Sequence, residues 1–283
     1  MRPAPSILRP VSTMVLALAM ALALVAAACT SGDDGDESAD PTQEDEMNDE
    51  VTAAAERLVG RWAHFDVVAY EDEVLRTLII STGFADLELR DDGRLWNQMT
   101  FCHADVVNEP GIQVSISDAA TGAILPIATP VDLSVTDGRV RVVRPPTPTA
   151  IGIRLDDPAN EVLPDDPDDP RIFDADGDGN PGVTSMIDIG GRTAEIYLAR
   201  REIFSYDLTE VSADRLEGSV TDASEQLVIG ASDPAMAAPV DWTQLDDPSR
   251  NPAIWQRVDA DWDCDRLAAE RDDLFPPNPT IDW

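Results

Sequence analysis

The sequence predicts a mainly β protein, an antiparallel barrel or sandwich built as one large or two smaller β domains. Two observations carry this. Many short segments alternate apolar and polar residues, as in IQVSIS, VDLSV and RVRVV. Turn pairs separate them, with Asp92-Gly93, Asp137-Gly138 and Gly190-Gly191 the clearest hairpin signals. About 230 residues follow position 50, which is enough for a sizeable core.

The first residues read as an address. Arg2 and Arg9 are the only charges in residues 1–28, and residues 11–28 are apolar apart from Ser12 and Thr13. A positive start, an apolar centre and a small-residue break describe a secretory signal peptide. A run of about 20 apolar residues is also long enough to span a bilayer. A soluble signal cut within the alanine run is a third reading. The junction Ala26-Ala27-Ala28-Cys29 resembles the lipobox of bacterial lipoproteins, although Ala26 stands where leucine is usual. The resemblance covers residues 1–29. It implies cleavage before Cys29, lipid (diacylglyceryl and palmitate-type acyl chains) on that thiol, and attachment to a membrane. Thr30 follows, not aspartate, so the resemblance implies an outer-membrane address in a cell with two membranes.

Residues 29–50 read as an acidic tether. Ten acids and no base fall between 31 and 50, a stretch that repels itself and has little apolar surface to bury. The whole chain has 55 acids against 20 bases, a net charge of −35. Loss of the signal, with its two arginines, brings the mature chain to −37. Such a field repels nucleic acid and anionic head groups, so nucleic-acid binding is not expected. All the bases are arginine.

Residues 51–155 form the first β region. AAAERLVGRW opens with a helical turn and passes into RWAHFDVVAY; VLRTLII, FADLELR and RLWNQMTF follow as separate strands. Pro145, Pro146 and Pro148 are expected to interrupt the series, because proline lacks the ladder N–H. Residues 156–182 read as an acidic linker. Residues 183–232 supply further strands: VTSMIDI, RTAEIYLARREIFSYDL, RLEGSVT and QLVIGAS. The stretch 233–283 is rich in Pro and Asp yet carries four of the six tryptophans. Indoles gain by burial, so this tail is expected to wrap the β body, with Trp262 near Cys264.

With Cys29 taken by lipid, Cys102 and Cys264 remain, an even pair in an oxidising compartment. A disulfide is their simplest use; two buried thiols are the alternative. His64 and His103 are the only histidines, which leaves little material for a zinc site.

One motif carries chemistry. In D-A-D-G-D-G-N-P-G-V-T-S, residues 174–185, Asp174, Asp176 and Asp178 fall at alternate positions. Gly179 follows for a sharp turn, and Asn180 offers a carbonyl. Alternate aspartates on a curling backbone direct hard oxygens inward, which suits Ca²⁺. The stretch resembles the EF-hand loop, and equally the aspartate loops of dockerins and thrombospondin type 3 repeats. It departs at position 12, where Ser185 replaces the bidentate glutamate. Asp168, Asp169, Asp188 or water would then complete the shell, and the ion would be structural. A charged surface loop without a bound ion is the plainer alternative.

Three functions fit these features. The first is an exported, lipid-anchored, calcium-binding β protein with a non-catalytic binding or structural role. The second is a glycan-directed hydrolase with Asp188 and Glu195 as paired carboxylates. The third is a lipocalin-like carrier of an apolar ligand. The sequence has no G-x-S-x-G, H-E-x-x-H or Gly-rich phosphate loop.

Overall fold

The computed structural model describes residues 43–71, 75–237 and 243–283. The signal segment, Cys29, the first part of the tether and Trp242 lie outside them. The elements are α1 (Gln43–Leu58), β1 (Gly60–Glu71), β2 (Arg76–Leu89), β3 (Leu95–Asn108), β4 (Ile112–Ile116) and α2 (Asp118–Gly122). Next come β5 (Ala128–Pro130), β6 (Asp132–Thr136), β7 (Arg139–Ile151), β8 (Val183–Ile189) and β9 (Arg192–Ser212). The chain ends with β10 (Arg215–Asp222), β11 (Glu225–Ala231), β12 (Thr243–Gln244), β13 (Pro252–Val258) and α3 (Cys264–Leu274). The strands join one 13-stranded sheet with main order β4-β8-β9-β10-β13-β1-β2-β3-β5. The sheet curls into a half-barrel or sandwich, as the alternating segments predicted, and every strand pairing is antiparallel.

The turn pairs behave as read. Asp137 and Gly138 both have positive φ, 51° and 72°, joining β6 to β7. This backbone matches the twist of a two-residue hairpin. Gly190 and Gly191 do the same between β8 and β9. Two other expectations change. The residues of VLRTLII from Arg76 on and those of FADLELR up to Leu89 belong to one strand, β2, continuous through Ser81-Thr82-Gly83. Gly83 is needed there: a Cβ would lie 2.0 Å from the Thr100 carbonyl oxygen and 2.6 Å from His64 Nε2. The prolines do not stop β7. Pro145 and Pro146 sit where its register with β9 shifts, between Arg144 and Thr147. β6 pairs only with residues 139–143, so the proline stretch runs where that ladder has ended, a position that tolerates a missing N–H.

β1 shows how the core is divided. Trp62, Val68 and Tyr70 enter one cluster with Trp255, Tyr206 and Leu208, inside the curl. Ala63, Phe65, Val67 and Ala69 enter a second cluster with Trp262, Leu267 and Phe275. Strand residues of opposite parity face opposite sides, so both faces of β1 are covered. α1 contributes Ala54, Ala55 and Leu58 to the inner cluster. Its end is fixed by Trp62 Nε1 donating to the Leu58 carbonyl at 3.0 Å. Arg257 also caps it, donating to the carbonyls of Arg57 and Val59 at 2.7 and 2.9 Å. The helix begins at Gln43, so residues 43–50 of the acidic stretch are helical.

The tryptophan-rich C-terminal stretch does two things. α3 and the residues after it cover the outer face of β1 and β2; Leu267, 1% exposed, anchors the helix. Full burial of a leucine contributes roughly 1.5–3 kcal/mol. β13, however, lies inside the sheet between β10 and β1. Trp255 on it is fully buried. The tail is therefore part of the sheet as well as its wrapping. The disulfide Cys102–Cys264 joins β3 to the first residue of α3, with Cα atoms 5.5 Å apart.

Candidate functional site

The three aspartates of the 174–180 loop converge. Ligand oxygens of Asp174, Asp176 and Asp178 all lie within 4.8 Å of one another. The loop is shaped by its own carboxylates. Asp174 accepts from the N–H groups of Gly177 (2.7 Å) and Gly179 (2.9 Å). Asp176 Oδ2 accepts from Thr184 N at 2.9 Å, and Asp178 Oδ1 from Asn180 N at 2.7 Å. Gly177 and Gly179 have φ of 76° and 92°, a conformation other residues adopt only with strain. The loop closes where Ala175 N donates to the Gly182 carbonyl and Gly182 N to the Phe173 carbonyl. Gly182 lets the loop press on β9: a Cβ there would sit 2.2 Å from the Leu198 carbonyl oxygen.

The electrostatics around Asp178 favour its anionic form. The Thr184 hydroxyl and the Asn180 donors hold the Asp178 carboxyl below its usual range. Asp176 Oδ1 is buried and has no hydrogen-bond partner. Three carboxylates this close repel one another unless a cation offsets the charge. The cluster can therefore coordinate a cation.

The other sequence candidates fall elsewhere. Asn180 donates its side-chain amide to Asp178 Oδ2 at 3.2 Å and so supports that carboxylate. Asp169 is bound to Arg171, at 3.0 Å from Nε, and Asp168 donates its N–H to Asp166. Asp188 accepts from Gly191 N and the Thr193 hydroxyl, inside the β8–β9 hairpin. An acid with a different sequence reading stands closer: Glu195 lines the same surface depression as Asp176, Asp178 and Thr184. The hairpin register explains it. Gly190-Gly191 sets Met186 opposite Glu195, two residues past the Thr184 whose N–H holds Asp176. Counting back from that turn would have found it.

As a catalytic pair, Asp188 and Glu195 are poorly placed. Their register partners are Thr193 and Met186, so they are diagonal neighbours on one face of one hairpin. Glycosidase carboxylates flank the scissile bond from two sides. Glu195 also accepts from the Tyr197 hydroxyl at 2.8 Å. Among the described residues, two small apolar cavities lie next to each other under the curl. A cavity of about 70 Å³ lies beneath α2, and a neighbouring one of about 100 Å³ shares Ile116, Ser185, Leu198 and Arg200 with it. Sites for drug-sized ligands run to roughly 300–1,000 Å³.

Beside the first cavity sits a partly buried polar network. Tyr70 donates its hydroxyl to Asp222, and Ser224 donates its N–H to Asp222 at 2.7 Å and its hydroxyl to Glu202 at 2.8 Å. Arg200 pairs with Glu202, Nε to Oε1 at 2.7 Å. Burial first, and then the Asp222 charge, push the Tyr70 phenol well above its usual range, so it stays a donor.

His103 clamps α2 to β3. Its Nδ1 lies 2.6 Å from Asp118 Oδ1, at the start of α2, and its Nε2 lies 3.1 Å from Asp105 Oδ1. A neutral imidazole donates from only one nitrogen. Both contacts are therefore hydrogen bonds only when the ring is an imidazolium. Partial burial lowers its pKa, but the bonds and charges of Asp118 and Asp105 more than offset this, and the pKa is raised. A raised folded-state pKa means the stabilisation is fully present below about 6.5, the ordinary histidine value. It is lost as pH rises through the folded value. With only two histidines, NMR titration can follow His103 directly. Asp118→Asn is expected to lower its pKa, and an unchanged titration would show the clamp to be absent in solution.

Among the described residues, no helix is long and apolar enough to cross a membrane. Comparison with protein-family models, curated proteins and solved structures finds no match.

Proposed function

We propose that this chain is an exported, lipid-anchored, calcium-binding β protein with a non-catalytic binding or structural role. The observation that carries the reading is the loop itself. Three alternate aspartates converge within 4.8 Å, and a loop closed by its own hydrogen bonds sets them against the β8–β9 hairpin. Hard oxygens at this spacing suit Ca²⁺, whose shell is larger and more adaptable than that of Mg²⁺. Glu195 is placed to supply an acid from the neighbouring strand, where an EF-hand would use its twelfth residue. The ion would tie the segment before β8 to β9 and so stiffen this end of the sheet. The address follows from the signal segment: lipid on Cys29 would hold the body at a membrane, and the acidic stretch would lift it off the surface.

Calcium titration at fixed ionic strength tests this. The mature chain is expected to bind with an affinity of roughly 10⁻⁴–10⁻³ M, the range of extracellular modules. Its melting temperature should rise with calcium, since only the native state binds. Asp178→Ala should remove most of that rise, while Asp36→Ala, a neutralisation in the tether, should leave it intact. The pair separates a site from general screening of a highly charged chain. Wild type giving no saturable calcium heat up to several millimolar would reject the calcium reading. In the same preparations, Cys29→Ser should release the protein from the membrane fraction; an unlipidated wild-type N-terminus by mass spectrometry would reject the anchor.

A further inference from the structure

We propose that the cavity beneath α2 is a binding site for a small neutral amphiphile, with a short aliphatic body and one hydrogen-bonding group. This inference is independent of the calcium reading. The cavity, about 70 Å³, lies where the inner cluster meets a smaller one formed by Ala120, Ile151 and Val183. Its walls are chiefly apolar, with Val68, Phe101, Ile151, Leu198 and Phe204 among them. Into this setting α2 brings Thr121. It is 4% exposed, and its hydroxyl has no hydrogen-bond partner. A buried hydroxyl left unpaired is costly and rare. A ligand hydroxyl or carbonyl meeting Thr121 Oγ1 would remove that cost, while its body takes the place of empty space along the apolar walls.

Size and charge narrow the class. The cavity is small, about 70 Å³, and the adjoining one about 100 Å³. The two share Leu198 and Ser185 in their walls, and volumes this small admit only a chain of a few heavy atoms. The charged groups that line the cavity, Arg200 and Glu202, already pair with each other. An anion would meet a chain of net charge −35, and a cation would have to displace Arg200 from Glu202. A neutral ligand meets neither difficulty. α2 forms the roof. It is five residues long, with Ser117 Oγ accepting from Ala120 N at its start and Asp118 clamped to His103.

The probe is 1-butanol, titrated into the mature chain with and without EDTA and followed by methyl NMR at Ile79, Ile151 and Leu198. The expected result is saturable shifts at these methyls, unaffected by EDTA. Thr121→Val keeps the shape and removes the hydroxyl; it should weaken butanol about 2- to 10-fold, the worth of one net hydrogen bond. The same variant should still take xenon in a pressurised crystal. Thr121→Ser should restore butanol affinity, and Ala120→Leu, which fills the cavity, should remove both ligands. Non-saturable shifts in wild type would overturn the proposal. So would equal butanol affinity in Thr121→Val, or a butanol-soaked crystal in which Thr121 Oγ1 bonds only to ordered water. Loss of the calcium heat with butanol binding retained would reject the calcium site alone.

Discussion

Removing the Cys102–Cys264 disulfide is expected to cost the folded state about 4–5 kcal/mol. The bond spans 162 residues of sequence. Closing a loop of that length restricts the unfolded chain by an amount near the top of the usual range for disulfides. Against a typical domain stability of roughly 5–15 kcal/mol, the loss would bring the protein close to its unfolding threshold. The native state also loses a fastening. Cys264 opens α3, and the segment from α3 onward covers Phe65, Ile80 and Phe84 on the outer face of β1 and β2. Without the bond, that cover rests on side chains such as Leu267 and Phe275. Urea unfolding of Cys102→Ala/Cys264→Ala against the oxidised wild type measures the difference. A change under about 1 kcal/mol would mean that α3 packing alone fixes the tail and that the unfolded chain stays compact enough to need no restraint.

The hairpins were legible because their turns are chemically specific. Asp137-Gly138 and Gly190-Gly191 need positive φ at both positions, and few residue pairs supply it. The cysteine pair was legible by elimination, and the aspartate loop by its spacing. β13 was not legible. Its seven residues lie between a Pro-Asp-rich stretch and the acidic run before α3, and its partners, β1 and β10, lie far away in sequence. Only the pairing makes it a strand. β7 was misread for a related reason: proline forbids a ladder bond, but a register shift and an ended neighbouring ladder leave no bond to forbid. Helix α1 was hidden by the acids at its start. Ala54, Ala55 and Leu58 gain enough by closing the inner core to order a segment whose charges alone would keep it loose.

The interior charges were the least legible feature, and β1 shows why. Trp62, His64, Asp66, Val68 and Tyr70 share one parity; Ala63, Phe65, Val67 and Ala69 share the other. By polarity alone, the second set is the core face and the first is the surface. α3 and the chain after it overturn that inference by covering the apolar face from outside, which leaves the polar parity to line the inside of the curl. Arg144, Tyr206, Arg200 and Glu202 are inside for comparable reasons. Their single sequence positions give no sign of it, because the covering elements come from distant parts of the chain.

Asp66→Ala is the second substitution expected to have a large effect, about 3–5 kcal/mol of lost stability. His64 and Asp66 are 0% and 1% exposed, and His64 Nδ1 lies 2.6 Å from Asp66 Oδ1. Tyr206 donates its hydroxyl to Asp66 Oδ2 at 3.4 Å. Arg144, 4% exposed, donates to the Phe204 carbonyl at 2.9 Å and lies over the Tyr206 ring. Burial pushes the Arg144 pKa down, while the nearby Asp66 charge acts to raise it. Truncating Asp66 would strip His64 and Tyr206 of their acceptor and leave the Arg144 charge with less to balance it. Removing one partner of a buried charged group has a cost of that size, whereas removing both together often costs far less. His64→Leu/Asp66→Ala is therefore expected to be more stable than the sum of the two single losses allows, by at least about 1 kcal/mol. Neighbouring Gly83 makes the His64 site tight, since a Cβ there would already meet Nε2 at 2.6 Å; leucine is chosen to stay near the imidazole in volume. Urea unfolding of the wild type, both single variants and the double variant gives the coupling directly. Additive losses would show that His64 and Asp66 are buried side by side without depending on each other, and that the polar layer inside the curl is held by its surroundings alone.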